Sequence, residues 1–179
     1  MNAGPGYGGS CLPKDMKALI NFANTTGVIP TLLNAVEDVN TKQLEQVITI
    51  IKQRLGNLNS KKITILGTSF KPNTDDIRDS ISVELIKKLL MKKSKITVYD
   101  PKALENTKRI FGDKICYENT VIDALSKSQC AIFMTHWKEF EKIDNKAIRY
   151  MKRKLIIDCR RIFAEEKIDA EYYALGIGQ

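Results

Sequence analysis

The spacing of hydrophobic positions changes character near residue 56. Before it, apolar residues recur at helical intervals. Met16, Leu19, Ile20 and Ala23 share one face of a short helix expected over residues 15–24, which Thr25-Thr26-Gly27 breaks. Leu32, Leu33, Val36, Leu44, Val47, Ile48 and Ile51 then recur at i, i+3, i+4 spacing. They predict a longer helix from about 30 to 55, starting near Pro30 and stopping at Gly56. Asn40 interrupts this stripe between Val36 and Leu44. A polar amide on an apolar face is ordinarily a satisfied buried group or a register device at a helix contact, so no catalytic role is expected of it.

The segment Gly56-Asn57-Leu58-Asn59-Ser60 reads as a boundary, dividing the chain into residues 1–57 and 58–179. Beyond it, short apolar runs alternate with amphipathic ones. Strands are expected over 62–66, 95–99, 114–117, 131–135 and 155–158. Helices are expected over 80–91, 103–111, 121–126 and 142–151, the first capped by Asp79 or Ser80. Such alternation implies an α/β fold with a doubly wound, mostly parallel, Rossmann-like sheet, whose ligands bind at the carboxyl ends of its strands. The chain has no internal repeat and no low-complexity segment.

A length of 179 residues supports one full core, or one domain and a smaller piece. Hydrophobic residues make up 43% and charged residues 28%, as in ordinary globular chains. No apolar run approaches the roughly 20 residues that span a bilayer, and no signal peptide leads the chain, so no membrane partner is expected. The net charge of +8 and pI near 9.3 suit an anionic partner. The cations are scattered, with runs no longer than Lys92-Lys93 or Lys152-Arg153-Lys154, and no zinc-finger or RNA-recognition signature accompanies them. A phosphate-bearing small molecule fits as well as nucleic acid, and charge alone does not decide between them. The cysteines Cys11, Cys116, Cys130 and Cys159 form no CxxC pair or metal pattern. The last three lie in strand-like segments and read as core thiols, which suits a reducing cytoplasm.

The candidate chemistry begins with Gly4-Pro5-Gly6-Tyr7-Gly8-Gly9-Ser10-Cys11-Leu12-Pro13-Lys14-Asp15. Glycines admit close backbone approach to a ligand, and Pro13 is suited to the first helical position. With Pro13 first, Lys14 and Asp15 follow inside the helix and Cys11 lies just before its cap. Free N–H groups and the helix dipole favour anions there, and Lys14 adds a cation, so a thiolate would be stabilised. Asp15, at i, i+4 from Cys11, shares its helical face and could handle a proton or a water. Gly8 and Gly9 would leave room for a ligand. By glycine content alone, a flexible loop with an incidental cysteine is the competing reading. The order of residues, however, resembles the catalytic-cysteine signature of the nucleotide-sugar dehydrogenases, the UDP-glucose/GDP-mannose dehydrogenase family.

A second stretch, Gly67-Thr68-Ser69-Phe70-Lys71-Pro72-Asn73-Thr74-Asp75-Asp76-Ile77-Arg78-Asp79-Ser80, is longer than a structural connection needs. It is not a Gly-x-Gly-x-x-Gly fingerprint, which the chain lacks, but it sets Lys71 and Arg78 near a helix start, where phosphates bind well. On charge alone it could equally be a solvated loop. Its order resembles the second hallmark of the same family. Smaller similarities follow at Tyr99-Asp100-Pro101, at Thr135-His136-Trp137 with Phe140, and at Asp158-Cys159-Arg160. Cys159 stands where glycine is usual and His136 where glutamate is usual; His136 is read as structural.

The resemblance covers essentially the whole chain and implies the carboxy-terminal half of a dehydrogenase, without an amino-terminal NAD domain. It implies oxidation of a sugar C6 alcohol to a carboxylate with NAD, through a thiohemiacetal and thioester on Cys11. It assigns catalysis to Cys11 and Asp15, and substrate contacts to Tyr7, Gly8, Gly9, Phe70, Lys71 and Arg160. Lys14 and Arg78 would approach the cofactor, no metal is needed, and the long helix would join a homodimer. The Lys-Pro-Asn-Thr-Asp-Asp run leans toward UDP-glucose over GDP-mannose. Two rivals remain: a nucleotide-sugar-binding module with no chemistry of its own, and a cysteine hydrolase that would have to use the single histidine, His136.

Overall fold

The computed structural model describes residues 4–163 and 168–176. Two helices lead the chain, α1 (Leu12–Thr25) and α2 (Thr31–Leu55). An alternating series follows: β1 (Lys62–Leu66), α3 (Ile81–Met91), β2 (Lys95–Tyr99), α4 (Leu104–Phe111), β3 (Cys116–Tyr117), α5 (Val121–Leu125), β4 (Cys130–Phe133), α6 (Asn145–Ile148), β5 (Leu155–Asp158) and β6 (Glu171–Ala174). The strands form one sheet in the order β3-β2-β1-β4-β5-β6, with every pairing parallel. Its doubly wound character is as the alternation implies.

The central strands are buried on both faces and accordingly read as continuous apolar runs. On one face, Ile63, Ile65, Ile96, Val98, Ile132 and Ile157 pack against α3 and the second half of α2. On the other, Leu66, Phe133 and Ile156 pack beneath α5, Phe140 and Ile148 of α6. The two halves of α2 differ. Leu44, Val47, Ile48, Ile51 and Leu55 belong to the sheet's core, whereas Leu32, Val36 and Val39 are exposed. Gly56 ends the helix at φ 68°, a left-handed conformation that glycine adopts without steric cost.

Four expectations are corrected. Helix α1 begins earlier, with Leu12 first and Cys11 itself as N-cap. The region 142–151 is not one helix: a 3-10 turn over Phe140–Lys142 ends, and Asp144 starts α6 by accepting from the Lys146 and Ala147 N–H groups at 3.0 and 3.1 Å. Cys116 is exposed on the two-residue edge strand β3, while Cys130 and Cys159 are core thiols. Burial pushes the Cys159 thiol up to about 12. Finally, β6 extends the sheet beyond the five strands expected; its side chains are only half-buried.

Candidate functional site

The strand order reverses direction between β1 and β4, where a parallel α/β sheet opens a crevice at its carboxyl edge. Three loops meet there, and buried carboxylates hold them. Asp100, at the end of β2, accepts through Oδ2 from Thr68 N (2.7 Å), Ser69 N (3.0 Å), Ser69 Oγ (3.1 Å) and Trp137 Nε1 (3.2 Å). Its Oδ1 accepts from Lys102 N and Ala103 N. One side chain thus ties the loops after β1, β2 and β4 together. Asp158, at the end of β5, accepts from Arg160 N, Ile162 N, Phe163 N and Tyr172 Oη, and so shapes the turn that presents Arg160. Asp100 and Asp158 fall within two of the short similarities in the sequence, and their work is architectural.

Ser80 caps α3 through its backbone position only. Its hydroxyl donates instead to Thr68 O at 2.7 Å, pulling the long loop of residues 67–80 onto the strand end. The glycine-rich segment lies across this loop. A Cβ on Gly8 would collide with the Asp79 carbonyl, and one on Gly9 would come within 2.6 Å of the Phe70 ring. The room these glycines leave is therefore filled by protein. Asp79 takes φ 48°, a left-handed conformation that aspartate tolerates, and this aims its carbonyl at Gly8.

The result is a cleft of about 510 Å³ lined by Gly6, Tyr7, Gly8 and Leu12 from the leading segment, by Phe70, Lys71, Pro72 and Asn73 from the β1 loop, and by His136, Lys138, Glu141 and Arg160. Its charge is unbalanced. His136 Nε2 pairs with Glu141 Oε1 at 2.9 Å. Lys71, Lys138 and Arg160 have no carboxylate within ion-pair distance among the described residues. Arg160 donates through Nε to Met134 O at 2.7 Å, and burial holds its guanidinium below the usual arginine range. Lys71 Nζ sits 5.3 Å from the Phe70 ring centroid, within cation–π reach. With Lys71 and Lys138 exposed and Arg160 half-buried, an open cleft whose three cations have no carboxylate partner suits an anion.

Of the residues singled out from the sequence, Tyr7, Gly8, Phe70, Lys71 and Arg160 come together around this cleft, and Gly9 packs beneath it against Phe70. The Tyr7 hydroxyl bonds Glu37 of α2, and burial followed by that bond pushes its pKa up to about 12. Cys11 is exposed at the helix start beside Leu12, with Ser10 Oγ 3.7 Å from its sulfur. Asp15 bonds Cys11 through the backbone, Asp15 N to Cys11 O at 2.9 Å, but its carboxylate is exposed and near Lys14 Nζ at 4.0 Å. Arg78 lies outside the cleft in a bidentate pair with Asp76, Nη2 to Oδ2 at 2.7 Å. Asp76 raises the Arg78 pKa, first through their hydrogen bonds and then through its charge.

His136, expected to be structural, lines the cleft, and Lys138 was not singled out at all. The rule that ligands gather where strand order reverses would have drawn attention to both, since they follow β4. Asn40 is a satisfied amide, as its place on the apolar stripe suggests, but its partner was not foreseen: the carboxamide holds the Tyr7 backbone, accepting from Tyr7 N at 2.7 Å and donating to Tyr7 O at 3.1 Å.

Two family profiles match this chain. The UDP-glucose/GDP-mannose dehydrogenase family, UDP binding domain, matches residues 64–165, and the central domain of the same family matches residues 1–42. UDP-glucose 6-dehydrogenase AglM of Haloferax volcanii is 40% identical over 172 residues, covering 96% of this chain and 39% of that protein. A UDP-glucose 6-dehydrogenase of Rickettsia bellii is 33% identical over 185 residues, covering 98% and 42%. The chain thus spans about two fifths of the length of these relatives. Among solved structures, a UDP-glucose dehydrogenase from Pyrobaculum islandicum superposes with TM-score 0.87 at 32% identity, over 96% of this chain and 38% of that one. A GDP-mannose dehydrogenase from Pseudomonas aeruginosa superposes with TM-score 0.81 at 24% identity, over 97% and 40%, a likeness of fold.

Proposed function

The chain belongs to the UDP-glucose/GDP-mannose dehydrogenase family, and on that premise we propose that it supplies the sugar-nucleotide site and the nucleophile of an NAD-dependent UDP-glucose 6-dehydrogenase. The observation that carries this reading is the cationic cleft at the sheet's reversal point, lined on one side by Gly6, Tyr7, Gly8 and Leu12, the residues that flank Cys11. In this reading Lys71 and Arg160 hold the substrate's anionic groups, and Tyr7, Gly8 and Phe70 form the wall against which it lies, with Gly9 behind Phe70 letting the ring sit close. UDP-glucose is preferred over GDP-mannose because relatives at 33–40% identity bear that name. Residues 1–57 would carry the cysteine and a subunit contact, and residues 58–179 the UDP-sugar site.

NAD+, when bound, supplies the hydride acceptor for such oxidations. This sheet offers it no phosphate cradle: the Thr68 and Ser69 N–H groups, at the first strand-to-helix turn, are spent on Asp100. What the chain can contribute is the rim beside Cys11, where Lys14 and Arg78 are exposed. The Cys11 thiolate adds to the C6 aldehyde carbon, forming a C–S bond while the carbonyl oxygen takes a proton, which gives a thiohemiacetal. Oxidised to a thioester, that carbon accepts water; the C–S bond breaks, and carboxylate and thiolate are released. Asp15 is assigned the proton or the water in this step, by its place one turn along α1. Because the β1 turn is occupied by Asp100, a second reading also has support: alone, the 179-residue chain is a nucleotide-sugar-binding module.

The exposed apolar residues of α1 and of the first half of α2, among them Leu19, Phe22, Leu32 and Val39, favour a homodimer through this region. No helix among the described residues is long and apolar enough to cross a membrane. The reading places the protein in the cytoplasm, where unpaired thiols persist.

Calorimetric titration of this chain tests the assignment. UDP-glucose is expected to bind in preference to GDP-mannose, with NAD+ binding weakly or not at all. Lys71→Ala should weaken UDP-glucose by about 10- to 100-fold, the range for a charge-assisted hydrogen bond. Unchanged affinity in that variant removes Lys71 from the site, preference for GDP-mannose reverses the substrate, and no binding even by the full-length protein overturns the reading.

A further inference from the structure

Helix α2 makes one contact that none of the roles above requires. The Asn40 carboxamide pairs with both polar groups of a single peptide segment, accepting from Tyr7 N at 2.7 Å and donating to Tyr7 O at 3.1 Å, as a neighbouring β-strand would. A carboxamide presents a donor and an acceptor side by side in one plane, which neither leucine nor an ionised aspartate at this position can do. The fit is close: a Cβ on Gly6, which adopts φ 116°, would run into Asn40 Oδ1. One turn earlier, Glu37 accepts from the Tyr7 hydroxyl, so backbone and side chain of this residue are held by the same face of α2.

From the other side Gly8 is pressed on the Asp79 carbonyl, which leaves the loop fixed at Tyr7 and Gly8 and running on to Cys11. One turn beyond Asn40, Leu44 begins the buried half of α2, which is embedded in the sheet's core. The helix is thus a rigid strut: its second half is set in the domain that carries Lys71 and Arg160, and the turn just before that half grips the loop that ends in the thiol. We infer that Asn40 is a positioning residue that sets the distance between the Cys11 sulfur and the sugar-nucleotide cleft. The inference rests on the reading of Cys11 as nucleophile.

The test uses the full-length protein, with UDP-glucose and NAD+ as probes. Asn40→Leu should lower kcat for acid formation by about 100-fold, the effect of displacing a reacting group by about an ångström. Its UDP-glucose Kd should rise by less than about 10-fold, since Lys71 and Arg160 stay on the sheet domain and only the Tyr7 wall is loosened, so the loss falls on kcat more than on binding. Asn40→Asp supplies a signature that loss of stability would not. A protonated carboxyl again offers one donor and one acceptor, so the activity of Asn40→Asp relative to wild type should rise as pH falls. Wild-type kcat in Asn40→Leu, or a pH-independent ratio for Asn40→Asp, overturns the inference. Wild-type protein that forms no acid from any nucleotide sugar overturns the underlying function instead.

Discussion

Cys11→Ser in the full-length protein is expected to abolish acid formation, by at least about 1,000-fold, because an unactivated hydroxyl does not replace a thiolate nucleophile. The substitution removes one property and little else. Serine is close to cysteine in size, and Cys11 is exposed, with Ser10 Oγ 3.7 Å from its sulfur. It caps α1 through the backbone, without a side-chain hydrogen bond, so helix and loop should persist. Stability should therefore change by no more than about 0.5 kcal/mol, as for surface substitutions generally. Binding of UDP-glucose should survive because Lys71, Lys138 and Arg160 are untouched. Product analysis by mass spectrometry, with calorimetry on the same sample, gives both readouts. Uronate formed at the wild-type rate would remove Cys11 from the mechanism. Loss of binding together with turnover would make the thiol part of the substrate site and not the nucleophile.

The sheet was legible in the sequence because its strands are buried on both sides and carry no competing pattern. Ile63-Thr64-Ile65-Leu66 and Leu155-Ile156-Ile157 have nowhere to lie but inside. Strand β6 was not legible, since Glu171-Tyr172-Tyr173-Ala174 is an edge whose side chains are all half-buried, and no apolar run marks it. Residues 142–151 misled for a related reason. Their apolar positions suit a helix, yet Asp144 finds two backbone N–H groups to cap and restarts the chain there. Local hydrogen bonding outweighed periodicity.

The cleft was legible where its lining side chains sit in unusual local sequence, as with Lys71 in its long loop. It was not legible where tertiary contacts assign the role. Asn40 is a polar break in an apolar stripe until Tyr7 is seen against it. Gly8 and Gly9 looked like space for a ligand, but that space belongs to Asp79 and Phe70. Lys138 lies in an ordinary polar run, and only the position of its loop at the reversal of strand order brings it to the cleft.

Asp100 shows how fully this cleft depends on a group that does not line it, and its removal should have the largest effect on stability. The carboxylate is buried, and each oxygen serves more than one donor: Thr68 N, Ser69 N, Ser69 Oγ and Trp137 Nε1 on one, Lys102 N and Ala103 N on the other. Asp100→Ala strands these donors away from water, and each buried group left unpaired costs about 1–3 kcal/mol. Local rearrangement and entering water would recover part of that, leaving a loss of about 3–4 kcal/mol, within the range for breaking a buried polar network. For a chain of this size the melting temperature should fall by roughly 10 °C. Asp100→Asn should not escape. Whichever way its amide turns, the NH2 group must face either the Lys102 and Ala103 N–H groups or those of Thr68 and Ser69. Because Trp137 is the chain's single tryptophan and donates to Asp100, its fluorescence reports the same event. Both variants should shift that emission toward the exposed range before global unfolding, as the loop after β4 separates from the loop after β1. An Asp100→Asn variant that melts with wild type and keeps its emission would show that the three loops are held by packing alone. The cleft's cations would then owe their positions to the sheet and not to this carboxylate.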